Sequence, residues 1–87
     1  MNTKEFLEKA KELVRNYTIA HMDKTNEVRD FEVSEVWHCF ILGNQKALIA
    51  AKLPDGMYYE VTYNVAKNEI YLDAYKKFEN RCIKLAD

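Results

Sequence analysis

Histidine and cysteine stand side by side at His38 and Cys39, the one place where neighbouring side chains could form a metal site or a nucleophile with its base. The surrounding residues follow a period of two, which predicts a β-strand whose neighbouring side chains point to opposite faces. The pair therefore cannot bind one ion or exchange a proton. Only His21 and Cys82 remain, without C-x-x-C or H-x-x-x-H spacing, so we predict no metal site and no cofactor.

Acid–base catalysis and nucleotide binding are the next chemistries to consider. Glu60, Glu69 and Asp73 could form paired carboxylates, but general acid–base catalysis needs a cleft that desolvates one member, and a small sheet offers little concavity. Gly43 and Gly56 are the only glycines, which excludes glycine-rich phosphate loops and the G-x-S-x-G nucleophile motif. We therefore predict that the protein is not an enzyme.

Basic residues and tyrosines are both frequent in the C-terminal half of the chain. Lys76, Lys77 and Arg81 lie close in sequence to tyrosines on which single-stranded bases could stack. However, 13 Lys and Arg against 14 Asp and Glu give a formal charge of −1, so no broad field attracts nucleic acid or an anionic membrane. Nucleic-acid binding through these three residues is thus the alternative function, and not the leading one.

The composition is that of one globular domain covering residues 1–87, with 48% hydrophobic residues, two glycines and one proline. Charged residues within the first ten positions interrupt any signal peptide, and two cysteines do not make a secreted disulfide framework, so we expect a cytoplasmic protein. The longest uncharged run is far shorter than the roughly 20 residues of a membrane helix. We expect no contact with membranes.

Apolar spacing predicts a helix over residues 3–21, with Asn2 or Thr3 as its N-cap and a loop over residues 21–30. A period of two then predicts four strands, separated by turns at Gly43-Asn44, at residues 54–56 and at residues 66–68. From Ala74 the spacing lengthens again and predicts a short C-terminal helix. The predicted α+β fold is an N-terminal helix packed on a four-stranded antiparallel meander, in the order α-β-β-β-β-α.

Strand register decides which side chains the helix covers. Placing Leu53 opposite Met57 puts the apolar residues of the two central strands on one face, beneath the helix, and pairing Val65 with Ile70 extends that face to the fourth strand. In the first strand, a two-residue Gly43-Asn44 loop would send His38 inward. A longer loop or a bulge would instead send inward three other residues, Trp37, Cys39 and Ile41. We favour the second, because it buries more apolar area.

The opposite face of the predicted sheet is too apolar for a surface that only contacts water. Either the C-terminal helix covers it, or it is a tyrosine-rich exterior, or it binds a protein partner or a second copy in a homodimer. Aromatic residues with polar tips are typical of association surfaces. The predicted partner-binding residues are His38, Phe40, Leu48, Tyr58, Tyr71 and Tyr75.

Two segments, residues 53–64 and 69–80, together with the helix over residues 2–14 and residues 32–40, resemble a family of small uncharacterised proteins. These proteins are carried by phages, prophages and conjugative elements of Gram-positive bacteria. The resemblance implies an accessory protein that binds a host or element protein, and it brings no catalytic residues. More loosely, a helix followed by strands that include Tyr-Glu-Val-Thr resembles PepSY and cystatin-like modules, which bind or inhibit proteins.

Overall fold

One helix precedes four strands in the computed structural model, which describes residues 1–21 and 31–86. The elements are α1 (Thr3–His21), β1 (Val33–Ile41), β2 (Asn44–Ala51), β3 (Met57–Asn64) and β4 (Glu69–Lys76). The strands form an antiparallel sheet in the order β1-β2-β3-β4. The predicted N-terminal helix and the four-stranded antiparallel meander are confirmed. The loop that the sequence predicts over residues 21–30 lies, except for residue 21, outside the described residues.

Asn2 is the N-cap of α1, one of the two caps that the sequence predicted. Its side-chain oxygen accepts a hydrogen bond from the Glu5 amide at 2.8 Å, and the Glu5 carboxylate accepts one from the Asn2 amide at 3.4 Å. At the other end, the His21 ring stacks on Tyr17 with ring centroids 4.0 Å apart. These contacts satisfy or cover polar groups that a helix leaves unpaired at its ends.

The core lies between α1 and one face of the sheet, which we call the inner face. Phe6, Ala10 and Val14 of α1 are fully buried there. They pack against alternate residues of the two central strands, Ala47, Ile49 and Ala51 of β2 and Tyr59, Val61 and Tyr63 of β3. Small alanines beside large tyrosines leave room for the helix, so the predicted packing of a helix on the central strands is confirmed.

Register in the central strands differs from the prediction by two residues. Ile49 lies opposite Tyr59 and not opposite Val61, and β4 is shifted against β3 by the same amount. The turn between β2 and β3 is longer than the three-residue loop we predicted, and within it Asp55 accepts a hydrogen bond from the Met57 amide at 3.0 Å. A shift of two keeps every side chain on its predicted face, because side chains alternate with a period of two.

The favoured prediction for β1, with Trp37, Cys39 and Ile41 pointing inward, is wrong. His38 pairs with Ala47 and faces α1, which places its two neighbours on the opposite side of the sheet. The register shifts between Glu35 and Trp37, so a bulge is present, but it lies in the middle of the strand.

The turn between β1 and β2 explains this difference. It consists of only two residues, Leu42 and Gly43, with φ of 49° and 79°, whereas the favoured prediction needed a longer loop or a bulge. Positive φ at both central residues is the pattern of a type I′ turn, whose twist matches that of the strands. Leucine rarely adopts this conformation, so the sequence points to Gly43-Asn44 as the turn.

The predicted C-terminal helix is not found. β4 continues to Lys76, the Lys77 amide then donates to the Gly56 carbonyl at 2.7 Å, and residues 77–86 have no regular secondary structure. We call residues 77–86 the tail. Phe78 is 99% exposed and Leu85 is 91% exposed, so in this chain the tail does not cover the sheet.

Candidate protein-binding surface

The side of the sheet opposite α1, which we call the outer face, contains the candidate site. Alternation and register place twelve side chains of interest on it: Trp37, Cys39, Ile41, Lys46, Leu48, Tyr58, Glu60, Thr62, Glu69, Tyr71, Asp73 and Tyr75. Its tryptophan and aliphatic side chains lie on β1 and β2, its tyrosines lie on β3 and β4, and its charged residues lie on β2, β3 and β4.

Two tyrosines form a flat aromatic platform on β3 and β4. Tyr58 and Tyr75 are direct cross-strand partners, and their rings stack with centroids 5.3 Å apart and planes 16° apart. Both rings remain about 40% exposed (39% and 41%). Stacking restricts the rotamers of both side chains before any partner arrives, which lowers the entropy cost of binding there.

Apolar side chains of β1 and β2 form the other part of the outer face. Trp37 lies opposite Leu48, and Ile41 lies near the end of the same strand. Trp37 is 41% exposed and Ile41 is 48% exposed. Large apolar side chains on a sheet face that its own helix does not cover are typical of association sites.

An ion pair lies at the centre of the outer face. Lys46 of β2 contacts Glu60 of β3, and Asp73 of β4 is the cross-strand partner of Glu60. The hydrogen bond to Glu60 raises the pKa of Lys46 above its usual value, and the charges of Glu60 and Asp73 add to this while partial desolvation opposes it. With one cation among several carboxylates, the face is locally acidic.

Tyr71 donates its phenol proton to the Glu69 carboxylate, two residues earlier on the same strand. This hydrogen bond, together with the negative charge of Glu69, raises the pKa of the Tyr71 phenol. Tyr71 therefore stays neutral, and its ring is 45% exposed beside the central charges.

Four of the six predicted partner-binding residues share the outer face, namely Leu48, Tyr58, Tyr71 and Tyr75. The sequence reasoning missed Trp37 and Ile41, which it placed in the core. The signal that could have found them is a two-residue turn between β1 and β2, because a turn of that length places His38 and not Trp37 on the face of Ala47.

The two remaining predicted residues, His38 and Phe40, lie on the inner face. The His38 ring is 5.8 Å from the ring of Phe6, and its Nε2 donates to the side-chain oxygen of Gln45 at 3.0 Å. The side-chain nitrogen of Gln45 donates to the Met1 carbonyl at 2.9 Å. The side-chain oxygen of Gln45 therefore faces His38, and because an amide oxygen only accepts, His38 is the donor. Phe40 is 67% exposed, and its ring lies edge-on to the His38 ring with centroids 5.0 Å apart.

Of the predicted nucleic-acid-binding residues, Lys76 does not share a surface with the tyrosines of the outer face. Lys76 is opposite Met57, whose side chain packs against the core, so Lys76 lies on the inner face. Lys77 and Arg81 belong to the tail, where Arg81 lies 3.5 Å from Glu79. Lys76 is therefore separated from the outer-face tyrosines by the sheet, and the other two cations lie beyond the end of β4.

His38 and Cys39 point to opposite faces, as predicted. Over residues 1–21 and 31–86, no three side chains of His, Cys, Asp or Glu come close enough together to hold a metal ion. In the same part of the chain, no helix has both the length and the hydropathy needed to cross a membrane.

Residues 7–85 match a protein family described as a family of unknown function, DUF6275. The chain belongs to this family. The matched range includes most of α1 and all four strands, so the family covers the whole sheet and nearly all of the tail. No curated protein matches the chain, and no solved structure matches it.

Proposed function

We propose that this protein is a small, non-catalytic accessory protein that acts by binding another protein chain through its outer face. The observation that supports this most directly is the group of large side chains on one face that are each 39–48% exposed, Trp37, Ile41, Tyr58, Tyr71 and Tyr75. Tryptophan and tyrosine are the residues that most often dominate binding energy at protein interfaces.

The chemistry of the outer face specifies the kind of partner. Of its acidic groups, Glu60 lies on the central strand β3, and Glu69 and Asp73 lie on the edge strand β4 beside Tyr71 and Tyr75. A partner that fits would bring apolar side chains to the outer parts and at least one cation to the centre.

The setting we propose is the one that the sequence resemblance implied. The protein would act in the cytoplasm of a Gram-positive bacterium that carries a phage, a prophage or a conjugative element. Its partner would be a host protein, an element protein or a second copy of this chain. A likeness to PepSY or cystatin-like modules belongs to the same proposal, as an analogy with folds that bind proteins.

Affinity capture from such a host, followed by titration of the purified partner, tests the proposed function. Trp37 is the only tryptophan and lies on the outer face, so its fluorescence reports binding there. We expect Tyr71→Ala to weaken binding by about tenfold or more, as truncation of an interface tyrosine does. Phe40→Ala is the matched control, since Phe40 is more exposed but lies on the inner face, and it should leave the affinity within about twofold.

Equal losses for the outer-face variant and the Phe40 control would contradict the proposal. The alternative, nucleic-acid binding, predicts a different result: salt-sensitive binding of single-stranded oligonucleotides that is weakened by Lys77→Ala and Arg81→Ala.

A further inference from the structure

The tail presents apolar side chains to solvent. Phe78, Ile83 and Leu85 are 99%, 75% and 91% exposed, within ten residues that have no regular secondary structure. The part of the chain that the structure describes is also extended, since its radius of gyration is 15.3 Å whereas a compact domain of about this size has about 12 Å. Several large apolar side chains exposed on one segment are typical of a segment that binds another surface.

Charge complementarity points from the tail to the outer face. The tail contains three cations, Lys77, Arg81 and Lys84, against one carboxylate, Glu79. The outer face shows the reverse balance, three carboxylates against the single cation Lys46, which already pairs with Glu60. The tail thus has the composition expected of a partner for this face, apolar groups together with cations.

The length and origin of the tail allow it to cross a sheet of this size. It starts beside Gly56, where the Lys77 amide ends the β3–β4 ladder. Ten extended residues span up to about 33 Å, whereas four strands are about 15 Å across. In this chain the tail does not turn back over its own outer face, because its apolar side chains are exposed.

We propose that the outer face binds the tail of a second copy of this chain, and that two copies exchange tails reciprocally in a homodimer. The inference rests on the proposed function, of which it names the partner. Exchange about a two-fold axis limits the assembly to two copies, because each copy provides one tail and binds one tail, and every contact occurs twice. Phe78, Ile83 and Leu85 would pack on the outer face near its aromatic groups, with a tail cation near Asp73.

Sedimentation velocity over a range of concentrations tests the exchange. We expect the full chain to be a dimer, and the double variant Phe78→Ser with Leu85→Ser to self-associate about 100-fold more weakly. Both residues are exposed, so this variant should retain the circular dichroism of the parent. The matched control is Phe40→Ser with Leu42→Ser, the same two changes at side chains that are 67% and 96% exposed away from the outer face, and it should remain dimeric.

A quenching experiment shows where the tail binds. One chain carries a fluorescence quencher on Cys82, with Cys39→Ser and Trp37→Phe, and the other is unlabelled and keeps its tryptophan. Since Trp37 lies on the outer face and Cys82 lies in the tail, exchange predicts that Trp37 of the unlabelled chain is quenched on mixing. A further reversal of charge, Asp73→Lys, should weaken the dimer, and Lys84→Glu in the same chain should restore part of the affinity.

Three results would overturn the tail exchange. They are a monomer at every concentration, a dimer that the tail variant leaves unchanged, and quenching that occurs only within a chain carrying both Trp37 and the label. In each case, binding of a captured protein that Tyr71→Ala weakens would still support the proposed function. Capture that is insensitive to Tyr71→Ala would reject that function separately, so the two failures are distinguishable.

Discussion

Replacing isoleucine by valine at three positions tests the packing of the whole molecule with one chemical change. Ile49 is fully buried on β2 beneath α1, Ile41 is 48% exposed on the outer face, and Ile83 is 75% exposed in the tail. Each substitution removes one methylene group and keeps a β-branched side chain. Differences among the three variants therefore reflect burial rather than local conformational preference.

The expected losses follow from these exposures. Burying one methylene group contributes about 0.8 kcal/mol, and Ile→Val in a closed core costs about 0.5–1.5 kcal/mol because a small cavity is added. We expect Ile49→Val to lower the free energy of unfolding by about 1 kcal/mol. Scaling the methylene value by the buried fraction gives about 0.4 kcal/mol for Ile41→Val and about 0.2 kcal/mol for Ile83→Val.

Urea unfolding, followed by circular dichroism on dilute protein, measures these differences. With a slope of about 1 kcal/mol per molar for a small domain, the midpoint should fall by about 1 M for Ile49→Val and should barely move for Ile83→Val. An unchanged midpoint for Ile49→Val would show that α1 does not close over β2. A loss at Ile83 as large as that at Ile49 in dilute protein would show that the tail packs within its own chain, and would refute the structure of the tail described above.

Three further predictions concern single contacts. Gln45→Ala should lower the free energy of unfolding by about 1–3 kcal/mol in urea titrations. The substitution removes a buried amide, and it leaves the His38 ring and the Met1 carbonyl without their hydrogen-bond partner. Leu42→Asn should raise the thermal midpoint, since asparagine adopts positive φ more readily and relieves about 1 kcal/mol of strain; no gain would contradict the type I′ turn. Because the bond to Glu69 raises the pKa of Tyr71, the folded chain holds that proton more tightly, so this stabilisation is complete below pH 10 and is lost as the pH rises through the raised value. Tyr71→Phe should therefore lose less stability than the parent as the pH rises above 10 in urea titrations.

In the central strands, the local hydrophobic pattern predicted the face on which each residue lies but not the strand register. Ala47, Ile49, Tyr59 and Val61 were placed on the correct face even though their pairing was predicted two residues away from its true register. A shift of two does not change which side a residue faces, so the hydrophobic pattern cannot detect it. The longer turn around Asp55, with its side-chain hydrogen bond, decides the pairing.

In the first strand, the local hydrophobic pattern did not predict which side chains face α1. Both alternate sets of β1 contain large apolar residues, so burial alone does not separate Trp37 from Phe40. The choice depends on the turn between β1 and β2 having two residues and not three, and on His38 having Gln45 as a hydrogen-bond partner. Two of the six predicted site residues were therefore misplaced, and Trp37 and Ile41 were missed.

The sequence by itself determined the helix, the four strands and the inner face of the central strands, because these follow from periods of 3.6 and 2 that each segment contains locally. Only the tertiary structure decided which side of β1 faces α1, the exact register, and that residues 77–86 form no helix. Those features depend on turn geometry and on contacts between residues distant in sequence. A spacing such as that of Phe78, Cys82 and Leu85 is typical of a helix, yet a helix is stable only where a surface covers its apolar side.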